Sequence, residues 1–224
     1  MIIAIDGPSG AGKSTVAKAV AKELGFACLD TGAMYRSVAW LAVEEGIPLD
    51  DDEALGKLAR SCEIVFENEA GNPVPKKVFI NGNDVTTAIR TSGIDKAVTP
   101  VSAAPSVREA MVDQQRKVAS TGNYVIEGRD IGTTVIPNAD VKVFLTASDE
   151  ERAHRRVRQN VDRGVGSIDY EEVLADLIRR DKADSSRATS PLAAADDAVM
   201  MDTTSLYIED VISQICDLAR KANQ

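Results

Sequence analysis

The segment Gly7-Pro-Ser-Gly10-Ala-Gly12-Lys13-Ser14 decides the fold of this chain. It matches the pattern G-x-x-x-x-G-K-[ST]. It follows a short apolar run over residues 2–6 and precedes a stretch of helical composition from Ser14 to Leu24, which closes at Gly25. A strand, a glycine-rich turn and a helix are the context that this motif requires, which makes a turn without a ligand the weaker interpretation. We therefore predict a loop that binds the phosphates of a nucleoside triphosphate.

The residue types of this loop suit phosphate chemistry. Glycines let backbone amides turn toward phosphate oxygens, and the N-terminus of the following helix adds a partial positive charge. We expect Lys13 to bridge the β- and γ-phosphates and the Ser14 hydroxyl to hold Mg²⁺, directly or through water. The predicted ATP-binding residues are Gly7, Pro8, Ser9, Gly10, Ala11, Gly12, Lys13, Ser14 and Thr15, of which Thr15 only supports the loop.

The remainder of the chain predicts an α/β fold. Four more short apolar runs lie beside helical stretches, at residues 26–29, 124–126, 141–145 and 198–201. This alternation favours a parallel sheet with helices on both faces. Between about residues 62 and 90 the pattern changes to an alternation of period 2 around Asn81-Gly82, which predicts a small antiparallel β insertion.

Composition and charge narrow the function classes. The 224 residues are 44% hydrophobic, enough for one α/β domain with insertions or for two small lobes. The formal net charge of −9 argues against a nucleic-acid-binding role, so any anion site must be a local pocket. We expect a cytoplasmic protein, because no apolar run approaches the roughly 20 residues of a membrane span and no basic leader is evident. Cys28, Cys62 and Cys216 are too scattered to indicate a disulfide framework or a zinc site.

Arginines near the ends of predicted strands indicate an anionic acceptor. Asp30-Thr-Gly is expected to interrupt the regular structure after the second apolar run. This places Arg36 near the edge where the strands end. Arg129 and Asp130 follow another predicted strand at the same edge. A predicted helix carries a third group on one face, namely Arg180, Asp184 and Arg187. The alternatives are a surface arginine after a turn for Arg36 and a solvated helix face for the third group.

A further arginine-rich helix is predicted after Thr146. Ser148 and Glu151 have the spacing of a capping box. Arg152, Arg155 and Arg156 then share a face that could close over the triphosphate. These arginines could instead form surface ion pairs with the neighbouring acidic residues, but the phosphate loop favours the functional interpretation.

These residues resemble those of the bacterial cytidylate kinases, from Ile3 to nearly the end of the chain. The blocks that carry the resemblance are Ile5-Asp-Gly-Pro-Ser-Gly-Ala-Gly-Lys13, Leu29-Asp-Thr-Gly-Ala-Met-Tyr-Arg36, Ile80-Asn-Gly-Asn-Asp-Val85 with Ile89-Arg-Thr91, Val107-Arg-Glu109, Glu127-Gly-Arg-Asp-Ile-Gly-Thr-Thr134 and Glu150-Glu-Arg-Ala-His-Arg-Arg156. Together they are far more specific than the phosphate loop. Thr31 and Thr99 stand where many relatives have serine, and Glu127 where many have aspartate, so hydroxyl and carboxylate chemistry are kept.

The resemblance implies a fold and an activity. The fold is a single P-loop kinase domain over residues 1–224, a three-layer sandwich around a five-stranded parallel sheet. Residues 63–90 would form the β insertion of a movable acceptor lobe, and residues 152–166 a short helical lid. The implied reaction transfers the γ-phosphoryl group of ATP to CMP or dCMP with Mg²⁺. We expect a monomer without nucleic-acid or membrane partners.

By position, the resemblance also implies residue roles. Arg36, Arg129 and Arg187 would hold the acceptor phosphate, and Arg180 and Asp184 the ribose hydroxyls. Arg108, Asp130 and Thr99 would recognise the cytosine ring, and Thr31 completes the predicted CMP site. Phosphoryl transfer needs alignment and charge neutralisation more than a strong base. The predicted catalytic residues are accordingly Lys13, Arg129, Arg152 and Arg156.

Three other functions remain possible from the sequence. The chain could be a P-loop kinase for UMP or another small acid. It could also be a nucleotide-dependent switch or a nucleic-acid-stimulated ATPase, although the acidic surface and the grouped arginines argue against this class. A catalytically inactive nucleotide-binding module is disfavoured, because the loop lysine and the arginines are present.

Overall fold

The computed structural model describes residues 1–223 of the chain. Within it, the chain forms two compact units. The sheet unit comprises Met1–Asp30 and the chain from Gly122 onward, and the inserted unit comprises Thr31–Thr121. The phosphate loop therefore belongs to the sheet unit, and the antiparallel insertion belongs to the inserted unit.

The described residues form eight strands and eight α-helices. The strands are β1 (Ile2–Asp6), β2 (Ala27–Asp30), β3 (Ile64–Asn68), β4 (Pro75–Ile80), β5 (Asn83–Asp84), β6 (Tyr124–Glu127), β7 (Val141–Thr146) and β8 (Val199–Asp202). The helices are α1 (Lys13–Leu24), α2 (Thr31–Glu44), α3 (Asp52–Ser61), α4 (Ser92–Ala103), α5 (Pro105–Ala119), α6 (Asp149–Arg163), α7 (Tyr170–Ser185) and α8 (Ile208–Ala222). A 3₁₀ turn spans Ala88–Arg90, and a π-helical turn spans Ile131–Val135.

A five-stranded parallel sheet in the order β2-β6-β1-β7-β8 forms the centre of the sheet unit. In the middle strand, Ile3, Ala4 and Ile5 are fully buried, as expected for a strand covered on both faces. Ile5 lies opposite Glu127 of β6. Asp6 lies opposite Phe144 of β7. The carboxyl ends of these strands therefore meet at one edge, and the predicted α/β fold with five parallel strands is confirmed.

Helices of the sheet unit cover this sheet through small and aliphatic side chains. Helix α1 buries Val16, Ala17 and Val20 and contacts β1, β2, β6 and α8. Their spacing places the three side chains on one helix face. Helices α6 and α7 pack on each other through a separate apolar cluster that includes Ala153 and Leu177. Within residues 1–223, no helix combines the length and the apolar character needed to cross a membrane.

The inserted unit contains the predicted antiparallel sheet. Strand β4 pairs with β3 on one side and with β5 on the other, both antiparallel. The turn between β4 and β5 has φ +49° at Asn81 and φ +79° at Gly82. Positive φ at both central residues is the geometry for which Asn-Gly is favoured in two-residue hairpins. The prediction of a β insertion around this pair is confirmed.

Two local expectations are wrong. Asp30-Thr-Gly does not form an irregular segment after the strand, because β2 ends at Asp30 and α2 begins at the next residue, Thr31. Thr31 is buried, and the following glycine is accommodated within the first helical turn. The predicted helix that carries Arg180 and Asp184 also does not continue to Arg187, since α7 ends at Ser185 before a second serine. Serine competes with the helix for backbone hydrogen bonds, which explains this end.

Substituting Gly7 by alanine should severely destabilise the sheet unit. Gly7 has φ +143°, and a Cβ there would lie 2.1 Å from the carbonyl oxygen of Leu145 in β7. We expect the free energy of unfolding to fall by more than about 3 kcal/mol. Gly25→Ala is the control, because φ is +69° but nothing lies within 4 Å of its Cβ, so only about 1 kcal/mol of backbone strain is expected. Denaturant titration measures both changes, and equal losses would contradict the steric explanation.

Candidate active site

The phosphate loop lies between β1 and α1. Gly12 precedes α1 with φ +91°, a left-handed conformation that glycine adopts without strain. The amides of the first helical turn lack partners within the helix, and such a terminus stabilises an anion. Lys13 is 6% exposed, and its Nζ donates to the carbonyl oxygen of Pro8 at 2.6 Å. The lysine is therefore folded back along the loop that it is predicted to serve.

Ser14 faces a buried carboxylate at the end of β6. Its hydroxyl donates to Oε2 of Glu127 at 2.8 Å. Burial raises the pKa of Glu127 to about 7, and the charge of Asp30 adds to this rise, whereas Lys13 and the Ser14 hydrogen bond oppose it. Hydroxyl and carboxylate oxygens are ligands that Mg²⁺ accepts, so this pair fits a magnesium site.

Burial also changes the pKa of the loop lysine. It lowers the pKa of Lys13 well below its ordinary value, and the positive charge of Arg129 lowers this pKa further. The carboxylates of Glu127 and Asp6 oppose the shift. A triphosphate bound at the loop would supply further negative charge beside Lys13, which favours the ammonium form.

Three of the predicted acceptor residues form one ion-pair cluster in the sheet unit. Asp184 of α7 is 1% exposed. Its Oδ2 accepts from Nε of Arg129 at 2.9 Å, and its Oδ1 pairs with Arg187. Burial alone would raise the pKa of Asp184, but Arg129, Arg187 and Arg180 hold it below its ordinary value. The structure thus groups two guanidinium ions around one ionised carboxylate.

The predicted capping box at the start of α6 is present on its serine side. The Ser148 hydroxyl accepts from the backbone amide of Glu151 at 3.2 Å. Three acidic residues in the first turn further stabilise this helix N-terminus. The cap fixes where α6 begins and therefore which way its arginines face.

Arg152 is held by four groups of the sheet unit. Its side chain is 4% exposed, and the guanidinium donates to the carbonyl oxygens of Ser9 at 2.8 Å and Ala147 at 3.2 Å. It also pairs with Asp149 and Asp181. The backbone amide of Ser9 approaches Oδ1 of Asp181 at 3.4 Å. Arg152 and Asp181 therefore brace the phosphate loop from outside.

The other two arginines of α6 have different partners. Arg155 pairs with Glu151 at 2.9 Å and donates to the hydroxyl and carbonyl oxygens of Thr203. Arg156 donates to the Ser9 hydroxyl at 3.0 Å. The helix spacing thus brings Arg152 and Arg156 to the same loop residue, whereas Arg155 contacts the segment after β8. Ion pairs with the acidic first turn, which the alternative interpretation predicts, are present as well.

In the inserted unit, Arg36 of α2 is enclosed by backbone and side-chain acceptors. It is 7% exposed, donates to the carbonyl oxygen of Ile89 at 3.2 Å and pairs with Asp95 of α4. Thr31, at the start of the same helix, is 3% exposed. The predicted grouping of Arg36 with Arg129 involves both units and stays a prediction.

The predicted base-reading residues of the inserted unit lie on consecutive helices. Arg108 of α5 is 2% exposed and donates to the carbonyl oxygen of Ser102 at 3.2 Å. Its guanidinium carbon also lies 5.4 Å from the ring centroid of Tyr35, a favourable cation–π distance. Thr99 is half-buried in α4, immediately before Pro100. Arg108 is thus fixed in position by contacts on two sides.

Comparison with known proteins identifies the family. A cytidylate kinase family model matches residues 3–221. A cytidylate kinase from Shouchella clausii (strain KSM-K16) is 48% identical over 219 residues, which cover 98% of this chain and 96% of that protein. The chain belongs to the cytidylate kinase family. Another relative named cytidylate kinase, from Carboxydothermus hydrogenoformans (strain ATCC BAA-161 / DSM 6008 / Z-2901), is 46% identical over 100% of this chain and 99% of that protein.

A solved structure outside the cytidylate kinases shares the fold. The crystal structure of a gluconokinase from Sinorhizobium meliloti 1021 superposes with a TM-score of 0.50 at 17% identity. The match covers 99% of this chain and 93% of that chain. At this identity the likeness shows the fold alone, so the family assignment depends on the sequence relatives.

Four residues of this cytidylate kinase fold were missed by sequence reasoning. Asp6 and Glu127 are buried carboxylates at the carboxyl ends of β1 and β6, Asp181 braces the loop, and Tyr35 packs on Arg108. An available signal was their position next to predicted site residues or at the end of an apolar run. An acidic residue that ends a buried strand must find partners, and this applied to both strands.

The stability of this kinase should depend on the protonation of Asp6. Burial raises the pKa of Asp6 from its ordinary 3.8 to about 6, although the amides of Gly132 and Ile131 oppose the rise. The folded chain therefore binds this proton more tightly than the unfolded chain, and the resulting stabilisation is lost as the pH rises through about 6. The full shift corresponds to about 3 kcal/mol.

Denaturant titration of the wild type and of Asp6→Asn between about pH 5 and about pH 7.5 tests this dependence. The amide does not titrate, so the free energy of unfolding of the variant minus that of the wild type should increase as the pH rises. Parallel curves across this range would contradict a raised pKa for Asp6.

Proposed function

We propose that the chain transfers the γ-phosphoryl group of ATP to CMP and dCMP, giving ADP and CDP or dCDP. The observation that carries this proposal is the Arg129–Asp184–Arg187 cluster in the same unit as the phosphate loop. Guanidinium groups suit an acceptor phosphate, and a carboxylate suits vicinal hydroxyls. The names of the family relatives support the same reaction.

The phosphate loop would bind ATP. Backbone amides from Gly7 to Thr15 would surround the phosphates, and Lys13 would leave Pro8 to bridge the β- and γ-phosphate oxygens. Mg²⁺ would neutralise charge on the same phosphates, with Ser14 as ligand and Glu127 as the adjacent acceptor. Ser14 would then turn its proton toward Glu127 and its lone pairs toward the ion.

The acceptor phosphate and ribose would use the charged cluster. Arg129 and Arg187, with Arg36 from the inserted unit, would bind the phosphate of CMP. Arg180 and Asp184 would bind the ribose hydroxyls. Asp184 has its pKa held low by its arginine neighbours, so it is ionised at neutral pH and ready to accept from a hydroxyl.

The cytosine ring would be recognised by Arg108, Asp130 and Thr99, and Thr31 would complete the pocket. Cytosine presents an exocyclic amine donor beside the N3 and O2 acceptors. A carboxylate accepts from the amine, whereas a guanidinium and a hydroxyl donate to the ring acceptors. Uracil reverses the donor pattern at this edge, so the set favours cytosine.

Catalysis would come from alignment and charge neutralisation without a general base. Lys13 and Arg129 would stabilise the charge on the transferred phosphoryl group. Arg156 bonds to the loop through Ser9, which supports a role beside the phosphates when residues 152–166 close as a lid. Arg152 would reach them only after exchanging its carboxylate partners. We further propose a cytoplasmic monomer without nucleic-acid or membrane partners.

The proposal is tested by ADP formation from Mg-ATP with CMP, dCMP, UMP, AMP, GMP or shikimate offered separately. We expect CMP and dCMP to lead, and an acceptor-free control to show little hydrolysis. Lys13→Ala should lower the rate by orders of magnitude while the protein stays folded. If another acceptor is preferred, the kinase activity stands but the proposed roles of the base-reading residues are wrong. ATP hydrolysis without an acceptor would instead favour a switch ATPase.

Asp184→Asn should weaken CMP binding by roughly ten- to a hundredfold, because a charge-assisted hydrogen bond worth about 1.5 to 3 kcal/mol is lost. Isothermal titration with CMP measures the change, after circular dichroism has established that the variant folds. Asp176→Asn is the matched control, since Asp176 forms an exposed ion pair with Arg179 on the same helix at 3.0 Å. Equal CMP affinities for the wild type and Asp184→Asn would contradict the proposal that Asp184 binds CMP.

A further inference from the structure

Asp6 joins two segments that the proposed reaction uses. It is the last residue of β1 and directly precedes the phosphate loop. Its Oδ1 accepts from the backbone amide of Ile131 at 2.8 Å, and its Oδ2 accepts from that of Gly132 at 2.8 Å. Both oxygens are therefore committed to consecutive residues located 125 and 126 positions away in sequence.

The two amide donors follow Arg129 and Asp130 directly. They open the π-helical turn Ile131–Val135, in which the amide of Val135 bonds to the carbonyl oxygen of Asp130. A Cβ at Gly132 would lie 3.2 Å from Cδ of Lys142 and 3.5 Å from Oδ2 of Asp6. The backbone thus approaches Asp6 closely, and the segment that carries Arg129 has little room to shift.

Burial distinguishes Asp6 from an ordinary carboxylate that accepts a backbone amide. Asp140 also accepts such an amide, from Ile2 at the other end of β1 at 2.6 Å, but it is exposed. Asp6 is 5% exposed and lies near the charges of Lys13 and Asp130. Burying a carboxylate lowers the free energy of unfolding. A connection needed for the fold alone would therefore destabilise the protein less if it were made at the surface.

We propose that Asp6 is a positioning residue, which fixes the Arg129-Asp130 segment against the end of β1 and thereby sets the separation between bound ATP and the acceptor phosphate. This inference depends on the proposed function, because Arg129 matters in this way only if it binds that phosphate. In-line transfer requires the reacting atoms to approach within about 3 to 3.5 Å, and a misplacement of about 1 Å lowers the rate by roughly a hundredfold. The two hydrogen bonds that Asp6 accepts from the amides of Ile131 and Gly132 provide such a constraint.

The test compares Asp6→Asn and Asp6→Ala with the wild type in steady-state assays with Mg-ATP and CMP, and in calorimetric binding of Mg-ATP alone. Asp6→Asn directs an amide donor at a backbone donor, and Asp6→Ala removes both acceptors. We expect kcat to fall on the order of 10- to 100-fold and KM for CMP to rise. The dissociation constant of Mg-ATP should change by less than about threefold, since the loop amides and Lys13 are unchanged. Asp140→Asn is the matched control and should retain wild-type kinetics.

A double-mutant cycle with Arg129→Lys separates positioning from a general loss of stability. If Asp6 acts through Arg129, the two substitutions together should lower kcat/KM by clearly less than the product of their separate effects. Multiplicative effects, unchanged kinetics in both Asp6 variants, or a failure of both variants to fold would each overturn the inference. If the wild type does not phosphorylate CMP, the proposed function itself has failed, and this result is obtained before any variant is compared.

Discussion

Opposite charges buried at the carboxyl edge of the parallel sheet are the central constraint on this molecule. Parallel pairing brings the ends of β1, β2 and β6 together, so Asp6, Asp30 and Glu127 are close whatever the intervening chain does. The positive charge of Lys13 acts on Asp6 and Glu127, and that of Arg129 acts on Glu127. The phosphate loop is therefore one side of a charge arrangement that the sheet imposes.

Two buried carboxyl groups of the sheet unit have opposite pKa shifts because the charges around them differ. Asp184 contacts two guanidinium groups, and its pKa falls despite nearly complete burial. Burial and the charge of Asp30 raise the pKa of Glu127 to about 7, although Lys13 and Lys18 oppose the rise. The sheet unit thus contains both an ionised carboxylate that can accept from a hydroxyl and a carboxyl group whose pKa is near neutral pH. Added phosphate charge would act most strongly on the second kind.

Sequence patterns predicted the elements but not the contacts between distant elements. The glycine-rich loop, the apolar runs and Asn81-Gly82 are local signals, and each gave the correct type of structure. The roles of Asp6 and Glu127 depend on the pairing of β1 with β6, whose residues are more than a hundred positions apart. Strand register is a property of the folded sheet, so no local pattern could identify the amide partners of Asp6.

Helical periodicity similarly predicted which helix face carries the arginines, but it did not predict which of them is buried. It placed Arg152, Arg155 and Arg156 near one face. Arg152 is buried and pairs with two carboxylates, whereas Arg156 donates to the hydroxyl of Ser9 in the phosphate loop. Spacing fixes the angle around the helix axis, but packing against α7 decides which side chain is buried. Phosphate binding by Arg152 requires two ion pairs to be exchanged. The contacts of Arg152 therefore show why helix spacing alone could not identify the arginine that braces the phosphate loop.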